Sequence, residues 1–276
     1  MTEAARPAVE LLSVDKTYPN RTHALAPVNL TVREGEFVTL LGPSGCGKST
    51  LLKMVAGLLA PSAGRIALWG EPVAGTLGAE RAGDQAAGSA RGLSFVFQEA
   101  TLMPWARVQA NVRLPLDLAG VPRTEADARV QEALKTVGLQ KFADSLPREL
   151  SGGMQMRVSI ARSLVTRPAL LLMDEPFGAL DEITRNRLDS DLLDLWRANG
   201  LTVIFVTHSI YEAVYLSTRV VMMAARPGRV VDQVMIDEPY PRDATFRVST
   251  GFSGYARRLQ ESLLHASGLN PDTALA

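Results

Sequence analysis

The run Gly42-Pro43-Ser44-Gly45-Cys46-Gly47-Lys48-Ser49-Thr50 constrains this chain more than any other stretch. It fits G-x-x-x-x-G-K-[ST] at every fixed position, directly after the apolar residues 36–41 and ahead of the helical pattern Leu51, Leu52, Val55, Leu58. Small consecutive residues let backbone N–H groups converge on phosphate oxygens, and the following helix turns its positive end toward them. Lys48 is then placed to neutralise β- and γ-phosphates, and the Ser49 hydroxyl to ligate Mg²⁺. Such a match arises by accident in roughly one chain in a hundred of this length. An ordinary strand-to-helix turn has no need of the adjacent Lys-Ser pair.

Residues 169–175, ALLLMDE, supply a second element of the same chemistry. A buried strand that ends in Asp174 presents a hard oxygen ligand to Mg²⁺, and Glu175 follows where a general base can polarise the attacking water. Alone, two acids at the end of an apolar strand read equally well as a solvated strand terminus. The phosphate loop removes that ambiguity.

Strand patterns at 9–14, 30–32, 36–41, 66–69, 93–97, 170–173, 202–206 and 220–223 are interleaved with helical ones, which predicts a largely parallel sheet covered by helices. Residues 98–166 interrupt the alternation with mostly helical sequence and read as an inserted subdomain. Within it, 124–137 has a helical face, with Thr124 as its N-cap. Residues 74–92 are rich in Gly and Ala and read as a surface excursion. The chain divides into a nucleotide-binding domain, 1–235, and a short extension, 236–276, with a helix near 255–265.

Composition narrows the setting. With 46% hydrophobic and 21% charged residues the chain is globular, and 29 basic residues balance 29 acidic ones. That balance disfavours nucleic acid or an anionic bilayer as the main partner. No run reaches the ~18 apolar residues that a membrane helix needs, and residues 1–7 do not read as an export signal. The single Cys46 cannot form an internal disulfide, which agrees with a reducing compartment. Cys46 reads first as a small loop residue; the alternative is a thiolate favoured by the helix start and Lys48, which bound ATP would shield from alkylation.

A second glycine-rich helix start, Leu150-Ser151-Gly152-Gly153-Met154-Gln155, offers Ser151 as an N-cap beside two residues without side chains. With it the chain resembles the ATP-binding-cassette (ABC) ATPases over residues 9–235. In the order of that family it has the phosphate loop, Gln98 in the Q-loop position, LSGGM as the signature, LLLMDE, Ala179-Leu180-Asp181 and a switch histidine, His208. The resemblance implies an α/β P-loop NTPase core with an inserted helical subdomain and an antiparallel β subdomain. It also implies that Tyr18 stacks on adenine, that Gln98 links metal and water to the helical subdomain, and that His208 contacts the γ-phosphate. Each of these three reads by itself as an ordinary packing or surface residue. Two subunits of the family enclose ATP between one phosphate loop and the other's Ser151, Gly152 and Gly153, with Asp181 at the junction. Met156 and Ser209 depart from the family's usual residues, although Ser209 can still cap the next helix.

Within the family, Met103-Pro104-Trp105, DEPFGALDEITR from Asp174 and AARPGRV ending at Val230 resemble the nitrate, sulfonate and taurine importers. The expected assembly is a homodimer at the cytoplasmic face of the cell membrane, carrying permease subunits and working indirectly with an extracytoplasmic substrate-binding protein. Leu102, Met103 and Trp105 read as a permease-docking cluster, with packing inside the helical subdomain as the competing reading. A non-transport ABC ATPase acting on nucleic acid or the translation machinery is the alternative function.

Overall fold

The computed structural model describes residues 6–73 and 92–266. Apart from Gly92, the Gly/Ala-rich excursion lies outside the described residues. In chain order the strands and helices begin with β1 (Pro7–Thr17), β2 (His23–Arg33), β3 (Phe37–Leu41), α1 (Lys48–Val55), β4 (Ala63–Leu68), β5 (Glu71–Pro72) and β6 (Leu93–Val96). Four helices and one strand follow: α2 (Val108–Leu118), α3 (Arg123–Thr136), α4 (Gly152–Leu164), β7 (Leu170–Asp174) and α5 (Glu182–Asn199). The chain continues through β8 (Thr202–Thr207), α6 (Ile210–Leu216), β9 (Arg219–Ala224), β10 (Arg229–Met235) and α7 (Thr250–Ala266). Two compact units result, one from Met1–Ala90 with Leu201–Ala276 and the other from Arg91–Gly200.

The first unit holds an antiparallel sheet in the order β2-β1-β4-β5. In β2 buried residues alternate with exposed ones, as expected of strands with one face in the core. A second sheet pairs β3 in parallel with β8 and with β9, and β10 closes it antiparallel to β9. Every residue of β3 and β8 is buried, which is why these strands are unbroken apolar runs. Helices α1 and α6 contact β8 and β3 respectively, and α7 lies against α6, β9 and β10.

The second unit pairs β6 with β7 in parallel, Leu93 opposite Leu170. Here α2, α3 and α4 pack on one another, and α4 contacts β6. The helical character expected between 98 and 166 is therefore present.

Several boundaries differ from the sequence reading. Helix α3 starts at Arg123 with Pro122 as its cap, so Thr124 lies in the first turn. Glu36 precedes β3: its carboxylate accepts the Arg33 N–H at 2.9 Å and pairs with Arg219 at 2.7 Å, closing the turn between β2 and β3. Helix α7 begins at Thr250, where the Ser249 hydroxyl accepts the Phe252 N–H at 3.0 Å; Gly251 and Gly254 hide that start from propensity. Strand β10 escaped notice because most of it is exposed or half-buried and only Val234 is buried.

Candidate functional site

In the first unit the phosphate loop runs from the end of β3 into α1. The N-cap is Gly47, at φ 91° in the left-handed region, a residue with no side chain of its own to cap the helix start. A Cβ on Gly47 would stand 2.6 Å from Leu25 Cδ2, and one on Gly42 would stand 2.3 Å from the Met223 carbonyl oxygen. Both positions are closed to any side chain by the loop's own supports. Lys48 is 4% exposed, and its Nζ donates to the Gly42 oxygen at 2.8 Å and the Pro43 oxygen at 3.1 Å. The ammonium is thereby held over the loop that the N–H groups line.

Thr50 brings Tyr18 to this loop, with 3.3 Å between the two hydroxyl oxygens, and Lys16 Nζ lies 5.5 Å from the Tyr18 ring. Cys46, by contrast, is fully buried, and burial pushes its thiol above the ordinary value, with the Lys48 charge opposing this only in part. The thiolate alternative is therefore set aside: Cys46 is a small buried loop residue. His208 stands exposed just after β8. Ser209 caps α6 as expected, its hydroxyl accepting the Glu212 N–H at 3.3 Å.

Sequence reasoning missed Gly228, within AARPGRV. A Cβ there would meet the Cys46 carbonyl oxygen at 2.2 Å, and its backbone exchanges hydrogen bonds with Ala24 and Ala26 at 3.0 and 2.8 Å. Gly228 thus braces the phosphate loop from behind. The Pro-Gly pair between two strands was the available signal.

In the second unit Asp174 ends β7 and is 8% exposed, while Glu175 turns the chain with φ 45°. A non-glycine residue in that region is uncommon and points to a functional constraint. The turn continues to Asp181, whose carboxylate caps α5 by accepting the Thr184 N–H at 3.0 Å; that bond holds its pKa below the usual carboxylate value. Ser151 caps α4 through the Met154 N–H at 3.3 Å. A Cβ on Gly153 would approach Thr184 Cγ2 at 2.9 Å, so the starts of α4 and α5 lie side by side. Gly152 is exposed and has space around it, with Leu180 the nearest neighbour of such a Cβ at 3.9 Å. Met156 is buried, so that departure from the family lies inside the unit.

Gln98 is exposed after β6, and the loop that follows is tied at both ends. Arg162 on α4 donates to the Ala100 and Thr101 carbonyls at 2.8 and 2.9 Å. The buried Asn111 on α2 accepts the Met103 N–H at 2.7 Å and donates to the Ala106 carbonyl at 2.9 Å. Between these ties Trp105 is 78% exposed, with Leu102 and Met103 half-buried. Internal packing therefore does not account for the indole. Neither Asn111 nor Arg162 was visible in the sequence, because one reads as a helix polar residue and the other as a surface cation.

Residues 25–178 match the family model described as ABC transporter. A taurine import ATP-binding protein of Rhizobium johnstonii is 48% identical over 220 residues, covering 80% of this chain and 79% of that protein. An aliphatic sulfonates import ATP-binding protein of Bacillus licheniformis is 45% identical over 225 residues, 82% of each chain. Among solved structures, cbiO1 from Clostridium perfringens, part of an ABC transporter complex, aligns with TM-score 0.74 and 28% identity over 92% of this chain and 99% of its own. An ATP-binding cassette captured as a dimer after hydrolysis, with ADP and Pi, aligns with TM-score 0.70 and 33% identity over 84% of this chain and all of its own.

Proposed function

The chain belongs to the ABC transporter family of ATP-binding proteins, and from that premise we propose that it powers import of a small anionic solute such as taurine, a sulfonate or nitrate. Its fold is the P-loop ABC ATPase fold, and it is an ATPase. The observation that carries the site reading is the phosphate loop: two glycines that admit no side chain, a glycine N-cap at the start of α1 and Lys48 folded over the loop. Residues 98–166 form the helical arm of the ATPase domain, and 236–276 an extension to it.

Lys48 and the N–H groups of residues 42–50 hold the β- and γ-phosphates, and Tyr18 stacks on adenine. The oxygens of Ser49, Asp174 and Gln98 suit magnesium. Mg²⁺ is a hard cation that takes oxygen ligands and keeps several waters beside the phosphates. When bound, Mg²⁺ offsets the charge that develops on the phosphate oxygens. Glu175 accepts a proton from the water whose oxygen forms the new bond to the γ-phosphorus, as the bond to the ADP oxygen breaks. His208 hydrogen-bonds the γ-phosphate, and Gln98 senses its loss.

Ser151, Gly152 and Gly153 act on the γ-phosphate held by a second copy, and Asp181 joins the two sites across a two-fold homodimer. The cassette that resembles this chain with ADP and Pi is itself dimeric, which supports the reading. Trp105, Leu102 and Met103 dock permease subunits at the cytoplasmic face of the membrane, and an extracytoplasmic substrate-binding protein delivers the solute. Neutral composition and the import names of the relatives do not favour the nucleic-acid alternative.

The test is to co-purify the chain with its permease in proteoliposomes and measure ATP turnover with taurine or an alkanesulfonate and binding protein present. Substrate-dependent stimulation is expected. Stimulation by nucleic acid, without membrane association, would overturn the proposal.

A further inference from the structure

Arg242 lies beyond the last strand and is 6% exposed. An arginine carries five N–H groups in a planar fork, and here the fork is spent on backbone carbonyls of two segments. Nη1 donates to Val214 at 3.1 Å, Tyr215 at 2.9 Å and Ser217 at 2.9 Å. Nη2 donates to Ile236 at 3.1 Å and Glu238 at 3.0 Å, and Nε to Glu238 at 3.3 Å. The guanidinium carbon lies 4.1 Å from the centre of the Tyr240 ring, and the Tyr240 hydroxyl donates to Leu216 at 3.0 Å. Burial pushes the Tyr240 pKa up to about 12, so the phenol keeps its proton and remains a donor.

The carbonyls of 214–217 stand at the end of α6, where a helix leaves its last acceptors without intrahelical partners. All four are taken by these two side chains, and the cation sits at the negative end of the helix dipole. Independently, Phe246 and Phe252 from the same extension stack on α6: Tyr215 to Phe246 is 6.5 Å between ring centres, and Tyr211 to Phe252 is 5.9 Å. Helix α6 has only seven residues, so a fixed C-terminal end fixes its other end as well. At that other end the Glu212 carboxylate accepts from the Thr207 hydroxyl, which in turn accepts the Ser209 N–H at 3.0 Å. Between Thr207 and Ser209 stands His208.

We propose that Arg242, aided by Tyr240, is a positioning residue for His208: the extension clamps α6, and α6 sets the place of the histidine at its start. The proposal rests on the reading of His208 as the γ-phosphate contact. It predicts that loosening the clamp slows turnover without weakening nucleotide binding.

The test uses the full chain. In Arg242→Met the expected kcat falls about tenfold while KM for ATP stays within about twofold, and Arg242→Lys restores part of the loss. Without nucleotide, the amides of 209–213 should exchange with solvent about tenfold faster in Arg242→Met. In a His208→Ala background the Arg242→Met change should add less than about twofold, since both act on one group. Full additivity there, or a rise in KM equal to the fall in kcat, would overturn the proposal. Should Arg242→Met fail to fold, Tyr240→Phe decides: it keeps the ring, removes one donor and should lower kcat about threefold, and an unchanged kcat overturns the clamp. If His208→Ala leaves kcat unchanged, the histidine reading itself fails, and the clamp proposal falls with it. A loss in His208→Ala with none in a folded Arg242→Met removes the clamp alone.

Discussion

Two glycine-rich helix starts, at residues 42–48 and at 151–153, look alike in sequence and are built to opposite ends. In the first, Gly42 and Gly47 are demanded by the chain itself, because Met223 and Leu25 occupy the space a side chain would need. Its N-cap is the glycine Gly47, which has no side chain to bond the first N–H groups of α1. In the second, Ser151 already caps α4, and among the described residues none comes closer than 3.9 Å to a Cβ placed on Gly152. On the proposed reading the first start is a complete binding surface within one chain, and the second is one wall of a site completed by a second copy. That reading would give the glycine at 152 its reason in the second copy.

The largest effect that can test this contrast is on turnover. Glu175→Gln should slow hydrolysis by about 10²- to 10⁴-fold, roughly 2.7–5.5 kcal/mol of barrier, while leaving nucleotide bound. The variant should accumulate as an ATP-dependent dimer in light scattering, and adding Gly152→Asp should abolish that dimer without loss of ATP binding by the protomer. A dimer that survives Gly152→Asp would break the contrast. Next in size, Lys48→Ala removes charged hydrogen bonds worth about 1.5–3 kcal/mol, so nucleotide affinity by calorimetry should fall about 10- to 150-fold. Unchanged affinity together with unchanged turnover would remove Lys48 from the first surface.

Stability gives a smaller but sharper reading. Gly47→Ala forces a side chain into the left-handed region against Leu25 and should cost about 1–3 kcal/mol in urea unfolding. Gly152→Ala, at an open helix position, should leave stability equal or raise it by up to about 1 kcal/mol. Smallest of all, alkylation of Cys46 should be slow with or without ATP, the two rates differing by less than about twofold, because burial already protects the thiol. Strong protection by nucleotide alone would restore the reactive-loop reading.

What could be read from sequence follows the range of the interactions involved. The phosphate loop, the Asp174 strand end and the buried strands β3, β7 and β8 are each written in consecutive residues, so pattern alone reaches them. Ser151 and Ser209 were legible as caps for the same reason: cap and recipient are three residues apart. Gly228, Arg162 and Arg242 were not, since each acts on backbone that the fold brings to it from far along the chain, and Asn111 reaches back over an irregular loop that no periodicity marks. The burial of Cys46 belongs to this second group: local charge suggests a thiolate, and only the fold shows the desolvation that opposes it. Helix α7 was half legible, because its core-facing residues are periodic while its first turn is glycine-rich.

The loop held by Arg162 and Asn111 also carries an optical consequence. Of the three tryptophans, Trp196 is buried and Trp69 half-buried, which leaves Trp105 as the indole open to solvent. Its emission should dominate the long-wavelength edge of the intrinsic fluorescence and be the part that iodide quenches. Whatever covers that loop during a working cycle will announce itself as a blue shift, with no label attached.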